Sequence, residues 1–297
     1  MRLGQVAQAV LPPVMFNALY RAMRGRTAPA VASVAGIDEK FARAQRYGLN
    51  RARYDAFMND ADGAEKIAPL FVYGANKQVK FPPEGRWFII ESMFEDAYFL
   101  ETIANSTDNW KIIDIGANVG AFLIAARHNF PMATIHAYEP NAALESYLKV
   151  QGFATRSKIH MVGVGKEHGS FSTDNRQNEI LGSESVLMLD FNKPGNIPII
   201  PFREALDAIG GHADLVKLDC EGSEWVITSD PKPFKRVRYI AMEYHRLPLD
   251  GSFDEYDLGI NIHDFATKRV SELGFDILHR RENSVDAGIV LAKNRCL

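Results

Sequence analysis

The chain has 297 residues, 46% of them hydrophobic and 24% charged, a balance that excludes a disordered or collagen-like chain. With a net charge of −3, we do not expect an overall basic surface of the kind that neutralises nucleic-acid phosphates. The length predicts one or two domains. Two cysteines, Cys220 and Cys296, are too few for a disulfide framework, so we expect a reducing, cytoplasmic location.

Residues 1–37 form a basic N-terminal extension. They contain four arginines and no acid, which leaves a charge of −7 on the other 260 residues. Apolar residues between positions 14 and 23 favour a short helix. Three interpretations stay open: a helix packed on the domain or a frayed terminus, a helix that makes weak contact with a membrane surface or a partner, and a transit peptide.

Residues 38–105 are interpreted as a small N-terminal α+β cap. Apolar spacing predicts a helix over 38–58. Two extended runs at 70–73 and 78–81 and a strand at 87–90 follow. Helical spacing returns over 91–104. We expect this cap to shape the acceptor side of a site, because acceptor-facing residues come from loops and appended elements.

Residues 106–297 alternate between strands and helices, which predicts a mostly parallel sheet with helices on both faces. The last two strands are linked by only six residues, too few for a parallel crossover, so they must run antiparallel. A parallel sheet that ends in a hairpin is the arrangement of class I methyltransferases. Strands are predicted at 111–115, 134–138, 158–164, 214–218, 238–243, 275–280 and 287–293, with shorter extended pieces near 169–172 and 185–189; helices are predicted at 120–129, 141–151, 202–209, 222–229 and 262–273.

The strongest motif is the turn D-I-G-A-N-V-G at 114–120, which follows a strand and opens a helix. Glu139 ends the next strand, where an acid can accept hydrogen bonds from a ribose. The pyrophosphate fingerprint fails because Asn118 replaces its middle glycine. Asp114 suits an ammonium, which favours S-adenosylmethionine over a dinucleotide. The alternative is an ordinary turn of a domain that binds no nucleotide.

A second cluster, D-C-E-G-S-E at 219–224, follows the strand 214–218. Asp219, Glu221 or His245 is a candidate base for a substrate hydroxyl, since the strand ends should share one crevice. Alternatively, Glu221 and Glu224 stabilise a helix N-terminus, and His245 is an ordinary surface or buried histidine. No metal-binding spacing of His or Cys occurs, so no metal is predicted, although the carboxylates have room for a divalent ion.

These paired motifs, D-I-G-A-N-V-G and K-L-D-C-E-G-S-E with Y-E-P-N at 138–141, resemble the FkbM family of S-adenosylmethionine-dependent methyltransferases. The resemblance covers residues 90–245. It implies a Rossmann-like class I fold with a seven-stranded sheet and O-methylation of a hydroxyl on a sugar, glycan or natural product. It also implies a set of cofactor-binding residues: Asp114, Gly116, Ala117, Asn118, Gly120, Glu139, Pro140, Asn141 and Asp219.

Two other functions remain open at this point. One is methylation of nitrogen or of RNA, although the acidic main body argues against extended RNA binding. The other is a methyltransferase-like binding or scaffold domain without catalysis. We expect a small-molecule or glycan acceptor and no nucleic-acid partner.

Overall fold

The computed structural model describes residues 34–60, 79–104, 108–171, 195, 197–246 and 261–297. The basic extension lies outside these ranges, apart from backbone positions 34–37. The chain divides into two compact units, 1–42 and 43–297. Of the first unit, the structure describes only the start of helix α1. Within the described ranges, no helix has the length and apolar character that a membrane span requires.

The helix predicted over 38–58 is two helices, α1 (Val34–Arg46) and α2 (Arg51–Asn59). The chain turns between them at Gly48, whose φ of +88° is in the left-handed region that glycine tolerates. Asn50 then caps α2, because its side chain accepts a hydrogen bond from the backbone N–H of Arg53. A glycine and an N-cap residue together override the continuous apolar spacing.

The strand predicted at 87–90 is wrong. After the 3₁₀ turn Pro83–Gly85, these residues belong to helix α3 (Arg86–Ile89) and to the π-helical turn Ile90–Phe94. Prolines at the start of a helix favour this outcome, and helical winding buries the side chains of 89, 90, 93 and 94 together. Residues 79–81 form no strand, and the predicted strand at 70–73 lies outside the described residues.

The helix predicted over 91–104 is also interrupted. The π-helical turn ends at Phe94, and the separate helix α4 covers Leu100–Ile103. Asp96 causes the break: it has a φ of +48°, and its carboxylate accepts hydrogen bonds from the backbone amides of Leu100 and Glu101. A short acid that bonds nearby amides competes with the helix and caps the next one.

The main sheet has seven strands in the order β3-β2-β1-β7-β8-β10-β9. All neighbouring pairs are parallel except β10, which runs antiparallel to β8 and to β9. This is the class I methyltransferase arrangement, so the predicted fold class and its closing hairpin are confirmed. The strands are β1 (Lys111–Ile115), β2 (Thr134–Tyr138), β3 (Lys158–His160), β7 (Ala213–Leu218), β8 (Val237–His245), β9 (Phe275–Ser284) and β10 (Ala287–Asn294).

A second sheet has three short strands in the order β4-β6-β5. The predicted strand 158–164 splits between β3 and β4 (Gly163–Gly165), and β5 covers Gly169–Phe171. Strand β6 (Ile197–Pro201) was not predicted. Its two prolines hide the strand pattern in the sequence. The extended piece at 185–189 lies outside the described residues.

The remaining helices follow the strands as the sequence predicts, within a few residues at each end. Helix α6 begins after a 3₁₀ turn, Ala142–Leu144, rather than at 141. Another 3₁₀ turn, Pro233–Arg236, precedes β8. The helices are α5 (Ala121–Asn129), α6 (Glu145–Thr155), α7 (Phe202–Ala208), α8 (Ser223–Thr228) and α9 (Ile262–Glu272).

The centre of the sheet is covered on both faces, which explains the continuous apolar runs of its strands. In β1, every residue from Ile112 to Ile115 is buried, and β7 is buried throughout Leu215–Leu218. Strand order reverses between β1 and β7, and ligands of open α/β sheets bind at such a point, beyond the carboxyl ends of the strands. The turns after β1, β2 and β7 and the carboxyl end of β8 lie at this edge.

Candidate active site

The turn after β1 packs directly against the turn after β7. Gly116 has a φ of +80°, and a Cβ at this position would lie 1.7 Å from the backbone oxygen of Asp219. The backbone N–H of Asp219 in turn donates to the carbonyl of Ile115 at 3.0 Å. Gly116 therefore makes room for protein backbone.

The sequence predicts that Asp114 contacts the ammonium of a ligand. In the structure, the ammonium of Lys217 lies beside Asp114. Its side chain is fully buried, and Lys217 Nζ lies 3.1 Å from Asp114 Oδ1, 3.3 Å from Asp219 Oδ2 and 2.6 Å from the carbonyl oxygen of Gly116. Burial alone would lower the pKa of Lys217, but the two carboxylates raise it above its usual value. In this structure Asp114 therefore contributes to the site through its ion pair with Lys217.

Glu139 fixes the turns after β1 and β2 to each other. Its Oε2 accepts from the backbone N–H of Asn118 at 2.8 Å, and its Oε1 accepts from that of Asn141 at 2.9 Å. Burial raises the pKa of Glu139 to about 6, although the two amides oppose the rise. Asn118, Pro140 and Asn141 are half-buried at this edge, whereas Ala117 and Gly120 are buried.

At the ends of β7 and β8, two carboxylates contact the hydroxyl of one tyrosine. The hydroxyl of Tyr98 lies 2.8 Å from Asp219 Oδ2 and 3.2 Å from Glu243 Oε2. Burial, followed by repulsion from Asp219, raises the pKa of Glu243 to about 7. Burial raises the pKa of Asp219 too, but Lys217 and His245 outweigh it, so that pKa is lowered. Asp219 is thus the more readily ionised of the pair.

His245 ends β8 and enters the same cluster. Glu224 is fully buried, and its Oε1 accepts from the backbone N–H of His245 at 2.8 Å and contacts ring Nδ1 at 3.1 Å. The other ring nitrogen, Nε2, lies 3.7 Å from Glu243 Oε1 and 3.8 Å from Glu221 Oε2. Burial alone would lower the pKa of His245. Glu221 and Glu224 together have the larger, opposite effect, so this pKa lies well above its usual value.

Two further features show that this edge is charged and strained. Glu91, from the π-helical turn, has a pKa raised by burial and by the neighbouring Glu243 and Asp219. Glu221 adopts a φ of +51°, as Asn118 does at +50° in the turn after β1. Positive φ at residues other than glycine costs free energy and concentrates at functional sites. Both residues face the edge where the strand ends meet.

The structure therefore brings the three predicted base candidates, Asp219, Glu221 and His245, into one cluster. It places Glu139, Asn118 and Asn141 in a second group at the β1–β2 edge. The sequence interpretation gave no role to four residues that complete the cluster, and no local pattern marks two of them, Glu91 and Tyr98. The four residues are Glu91 and Tyr98 from the N-terminal segment, Lys217 inside β7, and Glu243, which could have been found as an acid near the end of β8.

Comparisons with known proteins give only low similarity. No protein-family model matches the chain, and no curated protein matches it in sequence. Similar solved structures include precorrin-6y C5,15-methyltransferase from Geobacter metallireducens, 13% identical over 68% of this chain and 89% of that chain, with a TM-score of 0.40.

A putative RNA methyltransferase from Pyrococcus horikoshii is 10% identical over 88% of this chain and 99% of that chain, with a TM-score of 0.39. The N-terminal domain of EvdMO1, solved in the presence of SAH and D-fucose, is 17% identical over 67% of this chain and 79% of that chain, with a TM-score of 0.35. The fold assignment rests on the order and direction of this chain's own strands.

Proposed function

We propose that this protein is an S-adenosylmethionine-dependent methyltransferase that acts on a hydroxyl group. The observation that carries the proposal is the pairing of two features at one edge of the sheet. Glu139 is fixed between the turns after β1 and β2. Beside it, the ends of β7 and β8 collect Asp219, Glu221 and Glu243.

The residues at this edge fit a cationic nucleoside. A carboxylate held by two backbone amides keeps further lone pairs for the two hydroxyls of a ribose. The acids after β7 and β8 favour a positive group and disfavour a pyrophosphate. When bound, S-adenosylmethionine supplies a methyl group on a sulfonium, which passes to the acceptor oxygen to give a methyl ether and S-adenosylhomocysteine. Asn118, Pro140 and Asn141 are the half-buried residues that would line its ribose.

The chain's own work is then to orient the acceptor and remove its proton. Asp219, Glu221 and His245 surround one region, and a carboxylate of this group takes the hydroxyl proton as the oxygen–methyl bond forms. Tyr98 holds the Asp219 and Glu243 carboxylates in place. Because Tyr98 and Glu91 come from the segment before β1, we propose that the 38–105 region shapes the acceptor side, while 106–297 holds the cofactor.

Calorimetry tests the cofactor. The wild-type protein should bind S-adenosylmethionine and S-adenosylhomocysteine but not NAD. Glu139→Gln keeps the shape of the side chain and should weaken binding about tenfold, since hydrogen bonds to a charged group contribute about 1.5–3 kcal/mol. Glu145→Gln, an exposed acid on helix α6, is the matched control and should bind as the wild type does.

Turnover tests the reaction. A panel of hydroxyl acceptors should yield methyl ethers with the wild type, whereas Glu221→Gln and His245→Gln should bind cofactor normally and lose most of the turnover. Cofactor binding without turnover across a broad panel would favour the scaffold function. Tight retention of RNA on filters at low salt would favour an RNA acceptor instead.

A further inference from the structure

The ends of β7 and β8 present three side chains of the kind that bind metal ions. Asp219, Glu243 and His245 each offer one ligand atom, and these three atoms lie within 4.8 Å of one another. The set combines two carboxylates with an imidazole, and it comes from two adjacent strands. Glu243 and His245 are each 7% exposed. Rigid strand ends hold a metal set more accurately than loops do.

The orientation of His245 is an independent sign of a ligand. Glu224 contacts its Nδ1 at 3.1 Å and also holds its backbone N–H. With Nδ1 held in this way, Nε2 lies 3.7 Å from Glu243 Oε1 and 3.8 Å from Glu221 Oε2, distances longer than a hydrogen bond. Histidines that bind metals share this arrangement, with one ring nitrogen on a carboxylate and the other on the ion.

Contacts with neighbouring side chains hold the two carboxylates of this set. Tyr98 and Lys217 contact Asp219 through its Oδ2. The Tyr98 hydroxyl contacts Glu243 Oε2, and Glu243 Oε1 faces the imidazole of His245. Glu243 Oε1 also accepts a hydrogen bond from Asn283 Nδ2 at 3.3 Å, a contact that a bound ion would replace.

We propose that Asp219, Glu243 and His245 form a binding site for a divalent first-row metal ion such as Mn²⁺ or Zn²⁺. A six-coordinate ion with bonds of about 2.2 Å separates its ligand atoms by about 3 Å in cis and about 4.4 Å in trans. Small side-chain rotations reach these distances. An imidazole in the set favours Mn²⁺ or Zn²⁺ over Mg²⁺ and Ca²⁺, which prefer oxygen ligands.

This inference deepens the proposed function. The role of the metal ion in catalysis rests on the proposed methyl transfer. Three protein ligands leave coordination positions for an acceptor hydroxyl, and a metal lowers the pKa of a bound hydroxyl. Glu221 lies outside the three ligands, 3.8 Å from His245 Nε2, and is the carboxylate left to take the proton.

The test uses the full chain and Mn²⁺, without S-adenosylmethionine. Electron paramagnetic resonance of free Mn²⁺ should show one equivalent bound. Glu243→Gln should weaken binding at least tenfold. Glu282→Gln, a half-exposed acid on the neighbouring strand β9, should change it less than twofold. Mg²⁺ should compete poorly and Zn²⁺ well.

A second measurement needs no variant. Pulsed resonance of the wild-type Mn²⁺ complex should show coupling to an imidazole nitrogen, and His245→Gln should remove it. Absence of stoichiometric Mn²⁺ binding, or binding without nitrogen coupling, would overturn the site. Calorimetry with S-adenosylmethionine after chelator treatment tests the proposed function separately, so the metal site and the cofactor site can fail independently.

Discussion

Gly116 provides the sharpest test of how the site is built. Two penalties act on Gly116→Ala. The first is the left-handed backbone at φ +80°, which costs about 1 kcal/mol for alanine. The second is the new Cβ, only 1.7 Å from the backbone oxygen of Asp219. Relief requires a shift of about 1.5 Å in the turn after β7, since such contacts normally exceed about 3 Å.

The cost of that shift follows from what the two turns share. Overpacking costs about 1–3 kcal/mol, and disturbing the bond from Asp219 N–H to the Ile115 carbonyl adds about 1 kcal/mol. We therefore expect Gly116→Ala to lose about 4 kcal/mol of unfolding free energy. Gly211→Ala is the matched control, because Gly211 has a φ of +86° with nothing within 4 Å of its Cβ position. It should lose about 1 kcal/mol.

Urea unfolding followed by tryptophan fluorescence measures both variants, and the slope of free energy against urea shows whether the unfolded states are comparable. Equal losses for the two variants would refute the close approach of the β1 and β7 turns. A variant that keeps its stability but binds cofactor poorly would show instead that Gly116 faces the ligand.

Three further predictions concern charge and connection. Affinity for S-adenosylhomocysteine, measured by calorimetry, should fall about tenfold from pH 7 to pH 5. Burial raises the pKa of Glu139 to about 6, and only the ionised carboxylate accepts hydrogen bonds from both ribose hydroxyls. The Glu139→Gln variant should lack this pH dependence. Lys217→Met should lose about 3–5 kcal/mol in urea unfolding by leaving a buried carboxylate uncompensated, and an equal loss in the surface variant Lys111→Met would contradict this. Gln151→Leu should lose about 2 kcal/mol, since its amide bonds the backbone of residues 80 and 119, whereas exposed Gln45→Leu should change little.

The sheet could be predicted from the sequence because its strands carry strong, repeated signals. Buried parallel strands read as continuous apolar runs, and a six-residue link allows only a hairpin. The N-terminal segment could not be predicted in the same way. Its apolar residues at 87–90 fit a strand or a helix equally well, and the choice depended on prolines before them and on the capping carboxylate of Asp96 after them.

The site was predictable where topology decides it. Asp219 and His245 end neighbouring parallel strands, so the sheet itself brings them together. Tyr98 lies 121 residues before Asp219 in the chain, and its role depends on how the segment before β1 packs. No local pattern in the sequence records such a contact.

The distribution of charge shows why the missed residues matter. The sequence suggests that Asp114 offers its carboxylate to a bound ammonium. In the folded chain Lys217 neutralises Asp114 and fixes the β1 and β7 turns to each other. Asp219 and Glu243 lie farther along the edge, where Tyr98 contacts both carboxylates and Lys217 contacts Asp219. The metal ion that we propose would therefore bind at the ends of β7 and β8, where His245 Nε2 lies 3.7 Å from Glu243.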